Sequence, residues 1–350
     1  MCSIFGLLGV KSKLINLRGY PCGMARKKTS KIQPAVTRLW FNVGTTNTLN
    51  FVDLSLAASA ANRRFYRQGT TWAVAGMSVH VGNREEDIAK GDFTVSKVPD
   101  TWVAKNAHTK AKSLWMKSQD QVLDDQPSVA AKYRDFKVYL DDDMVGASIQ
   151  SSSSNPAGNG EIMLPVDRAD LSAKIGDWTY STIQFPTDGG SSAPVEWNLH
   201  MVGADENTQA ATSRGIIHGY ALSRSRPHDI DPNTPTDGGW MNEVFDVADN
   251  LDEIRADVAE NNDAPPYRVG DEASSDEYYP GGENNCPDAA LHSISFVSGT
   301  TVGGKTNVEG GMFGLGLMRF DWDWTTTPAS VYLAIDLVPG NYKGYLTEVY

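Results

Sequence analysis

Residues 331–337 read Val-Tyr-Leu-Ala-Ile-Asp-Leu, which puts Val331, Leu333, Ile335 and Leu337 on one side of an extended chain and Tyr332, Ala334 and Asp336 on the other. A period of two is the pattern of a strand with one buried face, so a core has to lie beneath the end of this chain. The run before it, 312–324, mixes glycines that allow close backbone approach with Phe313, Phe320, Trp322 and Trp324. Pro339-Gly340 then predicts a turn before Tyr342 and Tyr345. The terminal stretch reads as two apolar strands closed by a turn, part of a sheet assembled from distant segments.

Similar runs recur upstream. Strands are predicted at 36–43, 51–56, 71–81, 92–98, around Phe136, Val138 and Leu140, and at 178–185, 195–201, 214–223 and 291–297. The segments at 178–185 and 195–201 are expected to be neighbours in a sheet. Apolar residues at helical spacing predict one amphipathic helix over 103–123, with Lys105, Lys110, Lys112 and Lys117 on its remaining surface, and a second, acidic one over 241–258. Glycine (32) and proline (17) gather between the strands, which favours β architecture with long loops. The expected fold is all-β, a jelly-roll sandwich over 36–350 with one or two helices in its connections and loop excursions near 142–176 and 224–288.

Charge divides the chain. Residues 1–35 hold seven Lys or Arg and no acid, whereas the remaining chain has 24 basic and 43 acidic residues. A basic arm on an acidic body is the footprint of a terminal nucleic-acid tether, and little in 26–34 can be buried, so the arm is expected to be disordered. Its cations beyond Met24 are Arg26, Lys27, Lys28 and Lys31. Met24 followed by Ala-Arg-Lys-Lys reads as a native start, with 1–23 added upstream. Cys2, Cys22 and Cys286 are too few and too scattered for a disulfide framework or a four-ligand zinc site. No run approaches the length needed to cross a bilayer as a helix, so no membrane insertion is expected.

The ending Leu337-Val-Pro-Gly-Asn-Tyr-Lys-Gly-Tyr345, together with the basic start Met24-Ala-Arg-Lys-Lys28, resembles capsid proteins of small circular Rep-encoding single-stranded DNA viruses. The likeness is one of layout over 24–350. It implies a jelly-roll coat protein that forms an icosahedral shell with copies of itself around single-stranded circular DNA, found in the virion and in the host nucleus during assembly, with a host receptor of unknown identity. No enzymatic activity and no cofactor follow from it.

Candidate contacts to nucleic acid beyond the arm are Arg38 and the cluster Arg63, Arg64 and Arg67, interleaved with Phe65 and Tyr66. Such interleaving suits phosphates and base stacking. The alternative is a solvated turn with its aromatics packed down.

Two other motifs point elsewhere. Gly299-Thr-Thr-Val-Gly-Gly-Lys305-Thr306 fits the phosphate-loop pattern after a predicted strand, but that chemistry needs a helix starting at Lys-Thr. The glycine-rich 307–314 predicts a strand instead. Asp229, Asp231, Asn233 and Asp237 space oxygen ligands as a calcium loop does, yet Thr234 stands where that loop needs glycine and Trp240 where it needs glutamate. The rival readings are a jelly-roll glycan-binding or fibre module, and a nucleotide-binding protein using the loop before Lys305.

Overall fold

The alternating strand at 331–337 is held on both sides by segments from the opposite end of the chain. In chain order, β1 (Arg38–Val43) and β2 (Thr48–Asp53) lead into helix α1 (Leu54–Asn62), then β3 (Thr70–Gly82), β4 (Lys90–Lys97) and the long helix α2 (Trp102–Asp125). Next come α3 (Asp142–Val145), β5 (Ser148–Ile149), β6 (Glu161–Ile162), β7 (Thr182–Phe185), β8 (Val195–His200), β9 (Glu206–Asn207), β10 (Thr212–Gly215) and α4 (Ile216–Leu222). The last stretch holds β11 (Ala290–Ser298), β12 (Lys305–Phe313), a 3-10 turn (Gly314–Gly316), β13 (Leu317–Thr326), β14 (Ser330–Leu337), β15 (Pro339–Gly340), β16 (Gly344–Tyr345) and β17 (Thr347–Val349). The structure, a computed structural model, describes residues 34–83, 88–125, 127–128, 134–151, 156–166, 176–185, 195–207, 212–223, 241, 288–300 and 304–350. All of them belong to one unit, Ile32–Tyr350.

The chain is mainly β, with mostly antiparallel sheets and few helices. One sheet runs β1-β14-β3-β12, with β17 also paired to β3; a second runs β11-β4-β13-β2-β6-β5; a third runs β7-β8-β10-β9. Among the long strands, β1 pairs β14, β2 pairs β13, β3 pairs β12 and β4 pairs β11, all antiparallel. The pairing is therefore nested, first strand with last and so inward.

The alternation explains the first sheet. Leu39, Ile335 and Met77 lie in one cross-strand row, Phe41, Leu333 and Val79 in the next, and Val43, Val331 and Val81 in a third, and all nine are buried. They meet Val52, Phe93, Val95, Met318, Phe320, Trp322 and Trp324 of the second sheet in one cluster. Within it Phe93 stacks on Trp322 (4.9 Å, 16°) and Trp322 on Trp324 (6.0 Å, 8°).

A second cluster fills the far side of the second sheet. It takes Phe51, Leu56, Leu315 and Leu317 and packs them against α2 (Val103, Ala107, Ala111, Leu114) and against Leu199, Met201, Ile216 and Ile217. Phe51 and Leu317 face this cluster while their neighbours Val52 and Met318 face the other. Both faces are buried at Phe51-Val52 and Leu317-Met318, which interrupts the alternation there, whereas from Met318 to Trp324 β13 alternates buried and more exposed residues as β14 does.

The two layers are also tied by charge. Arg319 of β13 sends Nη1 to Asp141 (2.8 Å), which caps the N-terminus of α3, and approaches Asp143 (3.2 Å) and Asp288 (3.7 Å) with Nη1 and Asp321 (3.3 Å) with Nε. Burial nevertheless pushes the Asp141 carboxyl up to about 6.

Several expectations need correction. The two terminal strands lie in different sheets, β14 in the first and β13 in the second. The strand expected over 51–56 ends at Asp53, whose carboxylate accepts from the amides of Ser55 and Leu56 and starts α1. The strand expected over 214–223 stops at Gly215 and continues as α4. Phe136, Val138 and Leu140 are buried but form only an isolated bridge, Tyr139 to His200. Side chains replace the missing ladder there: Gln68 Oε1 accepts from the Val138 amide (2.7 Å), Gln68 Nε2 donates to the Val138 carbonyl (3.0 Å), and Ser181 Oγ accepts from the Lys137 amide (3.0 Å). With α1, α3 and α4 beside α2, helices are more numerous than expected. β7 and β8 are antiparallel neighbours, as expected. Of the acidic helix expected over 241–258, Met241 alone lies among the described residues, where it is helical and buried.

Candidate nucleic-acid interface

Residues 34–37 lie across the C-terminal end of α1. The Val36 amide donates to Asn62 Oδ1 (2.9 Å), the Val36 carbonyl accepts from Tyr345 Oη (2.6 Å), and Asn62 Nδ2 donates to the same hydroxyl (2.7 Å). The Leu337 amide then donates to the Thr37 carbonyl (2.7 Å) and β1 begins.

Helix α1 stops here because Arg63 adopts the left-handed region (φ 53°, ψ 39°) as its C-cap. That turn leaves Arg63, Arg64 and Arg67 exposed and sends Tyr66 inward. Tyr66 is fully buried, 5.4 Å from Tyr345 and 6.0 Å from Trp72, centroid to centroid. Phe65 packs on Trp178 (5.9 Å). Tyr66 is thus part of the core and Phe65 is half-buried against it, while the arginines of the cluster remain at the surface.

Arg64 Nη1 donates to the Pro34 carbonyl (3.3 Å), so the cluster touches the segment that follows the basic residues in sequence. Arg67 reaches Asp135 (4.0 Å), a carboxylate shared with Lys137 (3.5 Å). Burial raises the Asp135 pKa, and Lys137 and Arg67 oppose that rise.

Lys343 is a member of this corner that sequence reasoning overlooked. It too has a positive φ (50°), its Nζ donates to the Phe65 carbonyl (2.6 Å), and its own carbonyl accepts from Tyr66 Oη (3.0 Å). The Tyr342 hydroxyl accepts from the Arg67 amide (3.0 Å). The signal was in the sequence, since Asn-Tyr-Lys-Gly is a turn whose lysine follows an aromatic residue. Three features that were separate in sequence, the segment after the basic arm, the 63–67 cluster and the 337–345 ending, therefore share one corner.

Arg38 stands apart. It makes a bidentate pair with Asp336 directly across β14 (Nε 2.5 Å, Nη2 2.7 Å). The hydrogen bonds from Arg38 hold the Asp336 carboxyl below the usual carboxylate range. A guanidinium neutralised in this way offers little charge to a phosphate.

Arg26, Lys27, Lys28 and Lys31, like Asp229, Asp231, Asn233 and Asp237, lie outside the described residues. Among the described residues no three His, Cys, Asp or Glu gather as metal ligands. In the glycine-rich loop, Lys305 and Thr306 begin strand β12, Lys305 opposite His80, so the helix that phosphate-loop chemistry needs does not start there. Among the described residues, no helix is long and apolar enough to cross a membrane. No family model, curated protein or solved structure matches this chain.

Proposed function

We propose that this chain is the coat subunit of a small single-stranded DNA virus, a jelly-roll sandwich that self-assembles into an icosahedral shell and holds its genome through Arg26, Lys27, Lys28 and Lys31. The observation that carries this reading is the nested pairing of β1 with β14, β2 with β13, β3 with β12 and β4 with β11. A ribbon of four such pairs, rolled so that its strands alternate between two facing sheets, is the topology of a jelly roll, an architecture of viral coat and lectin domains alike. The sheet orders β1-β14-β3-β12 and β11-β4-β13-β2 fit that rolling.

Support for the genome-binding part is the corner described above. Arg63, Arg64 and Arg67 flank the residues that follow the basic arm, where they extend its positive charge, and with Tyr66 buried and Phe65 half-buried they grip phosphates without reading bases. A glycan-binding jelly roll would display a platform of clustered aromatics, whereas among the described residues the exposed ones are Trp102, Phe296 and Tyr332, one each on α2, β11 and β14.

Electron microscopy of the purified full chain is the direct test. Closed shells are expected, and small oligomers at every protein concentration would overturn the shell. Single-stranded DNA affinity should fall with salt at a slope of about −0.7 per phosphate contact, so roughly −3 for four arm cations. Glutamine at 26, 27, 28 and 31 should flatten it, and a residual slope should vanish on adding Arg63→Gln, Arg64→Gln and Arg67→Gln. An unchanged slope after all seven substitutions would remove this assignment.

A further inference from the structure

The lysines of α2 are engaged differently, and one of them meets the arginine corner. From Trp102 to Gln119 the helix holds Lys105, Lys110, Lys112 and Lys117 and no acid. Lys105 pairs with Asp100 (2.7 Å), and Lys110 donates to the carbonyl (2.9 Å) and hydroxyl (2.7 Å) of Ser223. Lys112 is exposed and lies on the helix between His108 and Trp115, which share its side of the axis and both pack on Phe136 (5.4 and 5.6 Å). The neighbour of Phe136 in the chain is Asp135. Burial raises the Asp135 pKa, and the charges of Lys137, Arg67 and Lys112 all oppose that rise, so three cations surround one carboxylate. Asp135 and Lys137 are only 6 % and 7 % exposed and lie 3.5 Å apart, with the Lys137 ammonium also over the rings of Trp178 (4.8 Å) and Phe65 (5.3 Å). This pair is a buried floor. Arg67, 4.0 Å from Asp135, and Lys112 stand at its rim.

We infer that Lys112 is a phosphate contact that carries the surface of the 63–67 corner across the Lys137–Asp135 floor and onto α2. One carboxylate cannot balance three cations, and its nearest partner is the buried Lys137. The rim therefore keeps a positive surplus, and a phosphodiester of single-stranded DNA supplies the negative charge that answers it. A lysine ammonium is a point charge on a flexible stem, so this contact holds the strand and reads no base. Lys117 offers the comparison within the same helix. It is also exposed, but it lies about 140° round the axis from Lys112, away from Asp135. The inference rests on the genome-binding reading for the identity of the ligand and adds a residue to that interface.

The test measures the binding of the full chain to oligothymidylate and to a mixed-sequence single strand of the same length over a range of salt. Lys112→Gln should make the slope of log K against log salt shallower by about 0.7, the loss of one phosphate contact, and by the same amount for both strands. Lys117→Gln removes an equal charge from the same helix and should change the slope by less than half as much. A lone lysine holds no strand without the corner, so in the chain whose arm and cluster cations are already glutamine Lys112→Gln should have no further effect. Equal slopes for the two lysine variants, or a slope unmoved by Lys112→Gln while Arg63→Gln, Arg64→Gln and Arg67→Gln flatten it, would overturn the α2 contact and leave the genome-binding reading standing. A loss confined to one of the two strands would make Lys112 a base contact and overturn its phosphate role. A wild-type chain without salt-dependent affinity for either strand would overturn the genome-binding reading and this inference with it.

Discussion

The two faces of the sheet containing β4, β13 and β2 cover cores of similar apolar content but different construction. On one face, the rows through Leu39, Phe41 and Val43 are held by continuous ladders to β14 and β3. On the other, Phe136, Val138 and Leu140 are as deeply buried, yet the Val138 amide and carbonyl bond the Gln68 side chain, the Lys137 amide bonds Ser181 Oγ, and the Leu140 carbonyl accepts from the amides of Met201 and Val202. Burial of side chains does not require a ladder; it requires that every buried amide and carbonyl find some partner. The ladder distributes that requirement over many bonds, whereas the outer layer concentrates it on single residues. The outer layer also abuts the buried carboxyls Asp53 and Asp141 and holds the stacked Tyr139 and Tyr180 (4.0 Å).

The largest expected effect lies between the sheets. Phe320→Ala, at a position fully buried among Phe93, Trp322 and Met318, should cost about 3–5 kcal/mol. Both cores share the one sheet through Phe51 and Val52, so calorimetry should show a single transition at a lower midpoint. Two separate peaks would mean that the outer layer is a unit of its own, and would sharpen the contrast into a domain boundary.

Next comes Gln68→Ala. It strips the Val138 amide and carbonyl of their partners and removes a donor to Asp53 Oδ2 (3.1 Å), at an expected cost of about 2–4 kcal/mol. Amide hydrogen exchange should rise at Val138 well before it rises at Phe41 or Leu333. Equal protection at all three would break the distinction between distributed and concentrated backbone bonding.

These differences also set what the sequence could reveal. Where one face of a strand is buried, as in β14, period two is plain, and the same pattern located β3, β4 and β8. Where both faces are buried, as at Phe51-Val52 and Leu317-Met318, the pattern vanishes and with it the cue that β13 and β14 sit in different sheets. α1 was hidden because Leu54 and Leu56 continue an apparent strand, although Asp53 before an alanine-rich run was the signal of a capped helix. The corner was half legible: Arg63, Arg64 and Arg67 stood out by charge, but their convergence with residues 34–37 and Lys343 depends on contacts nearly 280 residues apart, such as Lys343 to Phe65. The pairing of β1 with β14 is likewise a long-range fact that no local pattern encodes.

A smaller effect should appear in the pH dependence. Burial pushes the Asp53 carboxyl up to about 6, against hydrogen bonds from Leu56, Ser55, Gln68 and Tyr180. A folded pKa above the unfolded value means that its stabilising contribution is full below about 4 and is lost as pH rises through about 6. His108 acts in the opposite sense: burial lowers it to about 3, so its contribution is present above about 6.5 and is lost as pH falls. Asp53→Asn keeps the acceptor for Ser55 and Leu56. Its stability relative to wild type should therefore rise by roughly 1–3 kcal/mol between pH 4 and 7. A difference that stays level across that range would show that Asp53 has the same pKa folded and unfolded.

The smallest effect is at Arg38, and it tests the same contrast at the surface. Its pair with Asp336 is bidentate and directly cross-strand, but the side chains are 51 % and 34 % exposed, so solvent screening leaves only a small contribution. Because Arg38 depresses the Asp336 pKa in the folded state, that contribution is present above the unfolded carboxylate pKa of about 4 and disappears as pH falls below it. Arg38→Ala should thus match wild type in acid and fall slightly behind at neutral pH, the reverse of the trend expected for Asp53→Asn. The same neutralisation predicts that Arg38→Gln lowers the salt slope of single-stranded DNA binding less than Arg64→Gln does. If the two lower it equally, the Asp336 partner does not silence Arg38, and the outward face of the first sheet becomes part of the DNA-binding surface.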